Sequence, residues 1–254
     1  MSLFEGLILG LIQGLTEFLP VSSSAHLALA QILMGKKESA EILFNTAVLH
    51  LASAAAVVVY FRGDLLRLLT DRKRELGWVL LASIPAGAAG LLLKDTFEAA
   101  FGDVKLIGAC LLVTAVILFL ADRVRGEGVP MPEGGLGRAM AVGVAQAFAI
   151  FPGISRSGAT ISGALITGIS RPDAFRFSFL LGLPVILGAG GLKIYEGVRD
   201  GVRVDALPLA AALVVTFALS LAAIRLLAVL IRIRRFVYFS AYCALLGLAV
   251  LLSH

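Results

Sequence analysis

Charged side chains are scarce in this 254-residue chain: Asp, Glu, Lys and Arg make up 15% of it, against 59% hydrophobic residues. With a mean hydropathy of +0.96, that ratio exceeds what a water-soluble core requires and points to a polytopic membrane protein. Cysteine occurs twice, and Cys110 and Cys243 each lie in an apolar run without a metal-like cluster, so they read as small buried fillers. The opening MSLFEG lacks a basic segment and a cleavage site, so no removable signal peptide is expected. A net charge of +5 suits nucleic acid in principle. The basic residues, however, are confined to short segments between apolar runs, the distribution of membrane loops, and no nucleic-acid partner is expected.

What is present is apolar length. A bilayer core takes about 20 apolar residues per helix. Six stretches qualify, near 42–61, 76–93, 104–121, 174–195, 208–230 and 236–252. Four shorter ones, near 3–15, 22–34, 138–150 and 156–168, are paired across Pro20 and Pro152, and each pair reads as a helix, a break and a helix that turns back. The expected fold is an all-α polytopic membrane protein with six transmembrane helices plus two re-entrant helix hairpins. Residues 1–125 form one repeat, 126–137 a cytoplasmic linker and 138–254 a second repeat. Three spans per half is an odd number, so the second repeat enters from the opposite side and the topology is inverted.

Loop charge sets the orientation. Arg62, Arg67, Arg72, Lys73 and Arg74 fall in one loop, Arg123, Arg125 and Arg138 flank the linker, and Arg232, Arg234 and Arg235 precede the last span. Six spans place all three groups on one side, which the positive-inside rule makes cytoplasmic. The segments 94–103 and 196–205 are acidic or balanced, as the outer side should be. The first hairpin then enters from outside, the second from the cytoplasm, and their tips meet near mid-membrane.

The polar residues of this apolar chain concentrate at those two breaks. The first hairpin reads GLIQGLTEFLPVSSSAH from Gly10 to His26, and the second GVAQAFAIFPGISRSGAT from Gly143 to Thr160. Gln13 and Glu17 are four apart and share a helix face. Beyond Pro20, Ser22, Ser23 and Ser24 open a helix whose first N–H groups have no internal partner, with His26 about one turn in. An ionised carboxylate at bilayer depth costs about 2.5–3.5 kcal/mol even on the lenient insertion scale, so Glu17 points to a function rather than to a solvated loop. In the second hairpin Gly153, Ser155, Arg156 and Ser157 stand at another helix start, with Thr160 one turn on. Glycine permits close backbone approach, free N–H groups attract an anion, and a guanidinium grips phosphate oxygens bidentately. The composition is that of an anion cradle, although not the Walker sequence. A plain Arg156–Glu17 ion pair joining the hairpins is the alternative. An anionic head bound among inward-facing polar groups, with an apolar tail among the helices, describes a lipid phosphate or diphosphate.

QGLTEFLPVSSSAH at Gln13 to His26 and PGISRSGAT at Pro152 to Thr160 resemble the two signature motifs of the bacterial undecaprenyl-diphosphate phosphatase family, also called the bacitracin-resistance family. The similarity extends over essentially the whole chain, including FSFLLGLP at Phe177 to Pro184. The resemblance implies an integral inner-membrane enzyme that removes one phosphate from a C55 lipid carrier diphosphate, regenerating the carrier for cell-wall synthesis. It further implies dependence on a divalent cation, Mg²⁺ or Ca²⁺, and a site open to the periplasm. By matching position it makes Glu17, Ser23, His26 and Arg156 catalytic, with Glu17 the metal ligand. Gln13, Ser22, Ser24, Gly153, Ser155, Ser157 and Thr160 are expected to bind substrate. The family's first motif begins with Glu or Gln; with Gln13 here, a two-carboxylate metal site is unavailable, and metal binding leans on Glu17 and the substrate's own oxygens. His50, where the family typically has glutamine, reads first as a buried packing or hydrogen-bonding residue and second as a neighbour of the site. The attacking group stays open among Ser23, water and His26. An inverted-repeat transporter or flippase for an anionic lipid is the rival reading, and a homodimer is an open question.

Overall fold

The computed structural model describes residues 1–36, 39–233 and 235–253, so Arg234 of the basic turn lies outside the described residues. Among the described residues the fold is all-helical, with twelve helices: α1 (Leu3–Thr16), α2 (Ser23–Leu33), α3 (Ala40–Tyr60), α4 (Arg62–Thr70), α5 (Lys73–Leu92), α6 (Lys94–Gly102), α7 (Val104–Asp122), α8 (Met131–Phe148), α9 (Arg156–Ile166), α10 (Arg171–Arg199), α11 (Ala206–Arg232) and α12 (Phe236–Leu252). Five of them, α3, α5, α7, α10 and α11, are long and apolar enough to cross a membrane. The sixth expected span, α12, is apolar throughout but has 17 residues. Large apolar side chains face outward on many helices, among them Phe4, Leu92, Val116, Leu207 and Leu245. In water that surface would aggregate; in lipid it is the solvated one.

Local chemistry explains the helix starts. Ser2 and Glu5 close a capping box at α1, with Ser2 Oγ accepting from Glu5 N–H at 3.2 Å and Glu5 Oε2 accepting from Ser2 N–H at 2.8 Å. Asp103 caps α7 by accepting from Leu106 N–H at 3.0 Å. The segments 62–75 and 94–103, read from their charges as loops, fold as α4 and α6 instead. Each carries a short apolar stripe that packs inward, Leu65 and Leu68 on α4 and Phe97 and Ala100 on α6. The linker also differs from its expected form. Helix starts at Met131, breaks at Gly135 (φ 78°) and resumes, and Val129 exchanges backbone bonds with Gly168 and Ser170 at 2.9 Å each, stitching the linker to the turn before α10.

The main pairings run between the two halves of the chain: α1 on α11, α3 on α10 and α11, α5 on α8, and α7 on α12. Small residues let these backbones approach. A Cβ at Gly10 would stand 2.6 Å from the Ala212 carbonyl oxygen, and one at Gly143 would overlap that of Ala82. Polar contacts then sort the helix ends into two groups. At one end Arg176 binds Glu75 at 2.6 Å, Arg171 donates to the Val124 carbonyl at 3.2 Å, and Asp122 accepts from Phe236 N–H at 3.0 Å. At the other the Met1 ammonium meets Glu41 at 3.1 Å and Asp205 at 3.3 Å, and Lys94 meets Glu196 at 2.5 Å. The basic segments thus gather at the first end, α1 starts from the second end, and α8 starts from the first.

Candidate active site

Both helix breaks bring their tips into the buried centre of the fold. Phe18 is fully buried against Phe179 of α10, ring centroids 5.0 Å apart, which anchors the turn after α1. Ser22 then takes a left-handed backbone (φ 69°), costly for a residue with a Cβ, and caps α2. In the second tip Gly153 (φ 106°) lies so close to α7 that a Cβ would stand 2.5 Å from that of Cys110. Thr114 of α7 donates to the Gly153 carbonyl at 2.7 Å and accepts from Ser155 N–H at 3.0 Å. The two tips bond each other directly: Gly153 N–H donates to Ser22 Oγ at 3.1 Å, and Ser157 Oγ to the Leu19 carbonyl at 3.4 Å. The caps are alike, since Ser22 Oγ lies 3.1 Å from Ser24 Oγ and Ser155 Oγ lies 3.2 Å from Ser157 Oγ.

Glu17 is the hub. The residue is 7% exposed, and both carboxylate oxygens are engaged. Arg156 Nη2 donates to Oε1 at 2.5 Å; Ser23 Oγ donates to Oε2 at 2.7 Å, and Gln13 Nε2 at 3.0 Å. His50 Nε2 stands 3.4 Å from Oε2, while its Nδ1 donates to the Thr46 carbonyl at 2.8 Å, which fixes the ring with Nε2 toward the carboxylate. The ion pair considered from sequence is therefore present, and it lies at the edge of a cavity of about 300 Å³. Glu17, Ser22, Ser23, Ser24, His50 and Arg156 form its polar end, and Leu43, Ile150, Val185 and Ile186 are among its apolar walls. An anionic head and an apolar chain both find a matching surface there.

The remaining expected residues lie outside this wall. Gln13 is fully buried behind Glu17, its amide also donating to Ser53 Oγ at 3.3 Å, and Ser53 accepts in turn from Ser220 at 3.2 Å. Gly153, Ser155, Ser157 and Thr160 are buried inside the second tip, and Thr160 bonds Ser178 of α10 at 2.5 Å. His26 does not line the cavity. Its Nδ1 is 2.8 Å from the Ser22 carbonyl, and its Nε2 is 2.6 Å from the Tyr242 hydroxyl, whose ring stacks on it. Sequence reasoning passed over Ser53, Gly182 and Lys193 and put His50 first among packing residues. Gly182 is the α10 surface on which the Arg156 guanidinium rests, and Lys193 lines the cavity. The FSFLLGLP stretch held the signal for Gly182, a glycine set between two leucines.

A divalent cation would find one carboxylate here, one imidazole and, unusually, the buried Gln13 Oε1 with no hydrogen-bond partner. Among the described residues no cluster of three or more His, Cys, Asp and Glu exists. This donor set fits a hard cation only when substrate oxygens complete the shell.

A family model described as bacitracin resistance protein BacA matches residues 6–249. The chain is 42% identical over 257 residues to the undecaprenyl-diphosphatase of Syntrophotalea carbinolica, covering 97% of both proteins. It is 40% identical over 282 residues to undecaprenyl-diphosphatase 3 of Frankia alni, covering 99% of this chain and 94% of that one. To the undecaprenyl-diphosphatase of Carboxydothermus hydrogenoformans it is 39% identical over 255 residues, covering 99% and 97%.

Proposed function

The chain belongs to the family of the bacitracin resistance protein BacA, and from that membership we propose that it is a multi-pass membrane phosphatase hydrolysing undecaprenyl diphosphate to undecaprenyl phosphate and inorganic phosphate. That reaction returns a lipid carrier to cell-wall synthesis. The observation that carries the reading is the meeting of Glu17, Ser23 and Arg156, from two breaks far apart in sequence, at the polar end of an otherwise apolar cavity. The rival reading, transport of an anionic lipid, has no support in the relatives' names.

The terminal phosphoryl group is drawn to Arg156 and to the starts of α2 and α9, with the isoprenoid chain along the apolar walls. The guanidinium then shifts from Glu17 to the phosphate oxygens and neutralises charge that builds on them in the transition state. Ser23 Oγ attacks the terminal phosphorus in line, the bond to the bridging oxygen breaks, and undecaprenyl phosphate leaves. The hydroxyl proton passes to Glu17 Oε2, already its hydrogen-bond acceptor at 2.7 Å. Water resolves the phosphoserine. His26 holds the Ser22 carbonyl and so supports the left-handed turn that aims Ser23. A divalent cation, Mg²⁺ or Ca²⁺, would be held by Glu17, the Gln13 carbonyl oxygen and substrate oxygens, and would supply further charge neutralisation.

The six-span, inverted arrangement is part of the proposal. The helix pairings support it, because exchanging the halves (α1 with α8, α3 with α10, α5 with α11, α7 with α12) converts the α1–α11 pair into the α8–α5 pair and leaves α3–α10 and α7–α12 unchanged. The opposite starting ends of α1 and α8 support two re-entrant hairpins. The cavity takes residues from the end opposite the arginines, such as Leu43, Phe101 and Lys193, which supports an opening to the periplasm of a bacterial inner membrane.

The direct test is phosphate release from detergent-solubilised polyprenyl diphosphate by the purified protein with Mg²⁺, Ca²⁺ or Mn²⁺. Turnover is expected, and none under any cation sinks the reading. A finer expectation concerns Gly182. A Cβ there would fall on the Arg156 guanidinium, the movable end of a long side chain, so Gly182→Ala should fold and displace the arginine. Turnover should fall by roughly 100-fold, the cost of an ångström-scale misplacement, with thermal unfolding nearly unchanged.

A further inference from the structure

The two capping serines have the same task and different backbones. Ser22 and Ser155 each accept from the N–H three residues on, yet Ser155 has φ −72°, open to any residue, whereas Ser22 has φ 69°. A left-handed backbone is unfavourable for serine and persists only where its surroundings over-determine it. Counted from the cap, His26 occupies the place that Ala159 takes in the second tip, so the imidazole and the left-handed serine occur together. The Ser22 carbonyl receives the His26 backbone N–H at a long 3.3 Å and the ring Nδ1 at 2.8 Å. A carbonyl only accepts, so Nδ1 carries the ring proton. In the neutral ring Nε2 then offers a lone pair, and the Tyr242 hydroxyl, 2.6 Å away, donates to it.

Tyr242 reaches this tip from α12, in the other half of the chain. Its ring lies parallel to the imidazole, 7° between planes and 5.6 Å between centroids. The helix that presents it is itself fixed: Ser240 Oγ donates to the Ala115 carbonyl at 2.7 Å, and Cys243 Sγ faces the Pro20 carbonyl at 3.7 Å. Without the hydroxyl, nothing keeps the ring proton off Nε2, and a bare Nδ1 would then set its lone pair against the Ser22 carbonyl oxygen. We propose that Tyr242 is a positioning residue of the active site. Its hydroxyl holds His26 in the Nδ1–H tautomer, the ring holds the Ser22 carbonyl, and the left-handed turn aims the next residue, Ser23, whose Oγ donates to Glu17 at 2.7 Å. This rests on the phosphatase reading with Ser23 as the attacking group, and extends it to a residue outside the cavity wall.

The test is Tyr242→Phe in full-length protein in detergent. The variant keeps the stacked ring, and with Tyr242 45% exposed it opens no core cavity, so thermal unfolding should change little. Phosphate release should show kcat lowered about tenfold with KM little altered. Nitrogen-15 NMR of histidine-labelled protein reads the tautomer directly; the chain has three histidines, and a His26→Gln sample identifies the signal. Wild type should show His26 as Nδ1–H, and Tyr242→Phe a mixture with the Nε2–H form. Glycine takes a left-handed backbone freely, so in a Ser22→Gly background Tyr242→Phe should cost less than about twofold. Unchanged kcat, an unchanged tautomer, or the same tenfold loss in the glycine background each overturns the proposal. Because the tautomer is read without turnover, the two readings separate. Wild type that hydrolyses nothing but shows the Tyr242-dependent tautomer sinks the phosphatase reading and leaves the brace standing, and an active enzyme indifferent to Tyr242→Phe sinks the positioning role alone.

Discussion

Arg156→Gln is expected to lower kcat/KM for the diphosphate lipid by about 10³–10⁵-fold, the range found when a charge-neutralising arginine is lost from a phosphoryl-transfer site. Phosphate release measures it. The variant has a second consequence, because Arg156 is the guanidinium partner of Glu17, a residue that is 7% exposed. Breaking one side of a buried pair leaves the other charge uncompensated and costs about 3–5 kcal/mol, so part of the loss would come from unfolding. The double variant Glu17→Gln, Arg156→Gln removes both charges. It should recover much of the thermal stability in detergent and none of the turnover. Arg156→Lys keeps the charge without the planar fork and should fall between wild type and Arg156→Gln in activity. A double variant as inactive and as unstable as the single one would mean that the pair is purely a structural tie between the hairpins.

Ser23→Ala is expected to reduce kcat by about 10³-fold or more with KM little changed, as removal of a nucleophile does. The fold should tolerate it, since Glu17 keeps Arg156, Gln13 and His50 after losing the Ser23 hydroxyl. Radiolabelled lipid phosphate, quenched early in the reaction, should leave label on the wild-type serine and none on the variant. Near-full turnover by Ser23→Ala eliminates the serine route and returns the attack to water. Label on His26 would instead require that ring to leave both the Ser22 carbonyl and Tyr242.

Much of this was legible in the sequence because lipid makes polar residues conspicuous. Each of the six long apolar stretches is a helix, and Glu17, Ser23 and Arg156 stood out as charge and hydroxyl where neither is cheap. What escaped did so for identifiable reasons. The residues of α4 and α6 carry loop-like charge, and only their packing shows that Leu68 and Phe97 are buried. His50 and Ser53 are single polar residues in an apolar helix, indistinguishable by pattern from packing residues until Gln13 and Glu17 are seen beside them. His26 follows Ser23 by less than a turn, which placed both at one site by sequence distance. The left-handed Ser22 and the stacking of Tyr242 draw the imidazole to another side. Lys193 is a single charge near the end of a long apolar helix, and its place between two cavities depends on α3 and α6.

The pairing of helices across the two halves also bears on biosynthesis. Helices α1, α5 and α7 have their main partners, α11, α8 and α12, in the half that the ribosome makes last. Until then the small-residue faces of α1 and α7 lack the helices they pack on, and Glu17 is made before Arg156 exists to meet it. Nascent first halves are therefore natural clients for insertion factors and membrane proteases. Two halves synthesised as separate chains carry in their complementary faces the information to find each other and rebuild the site.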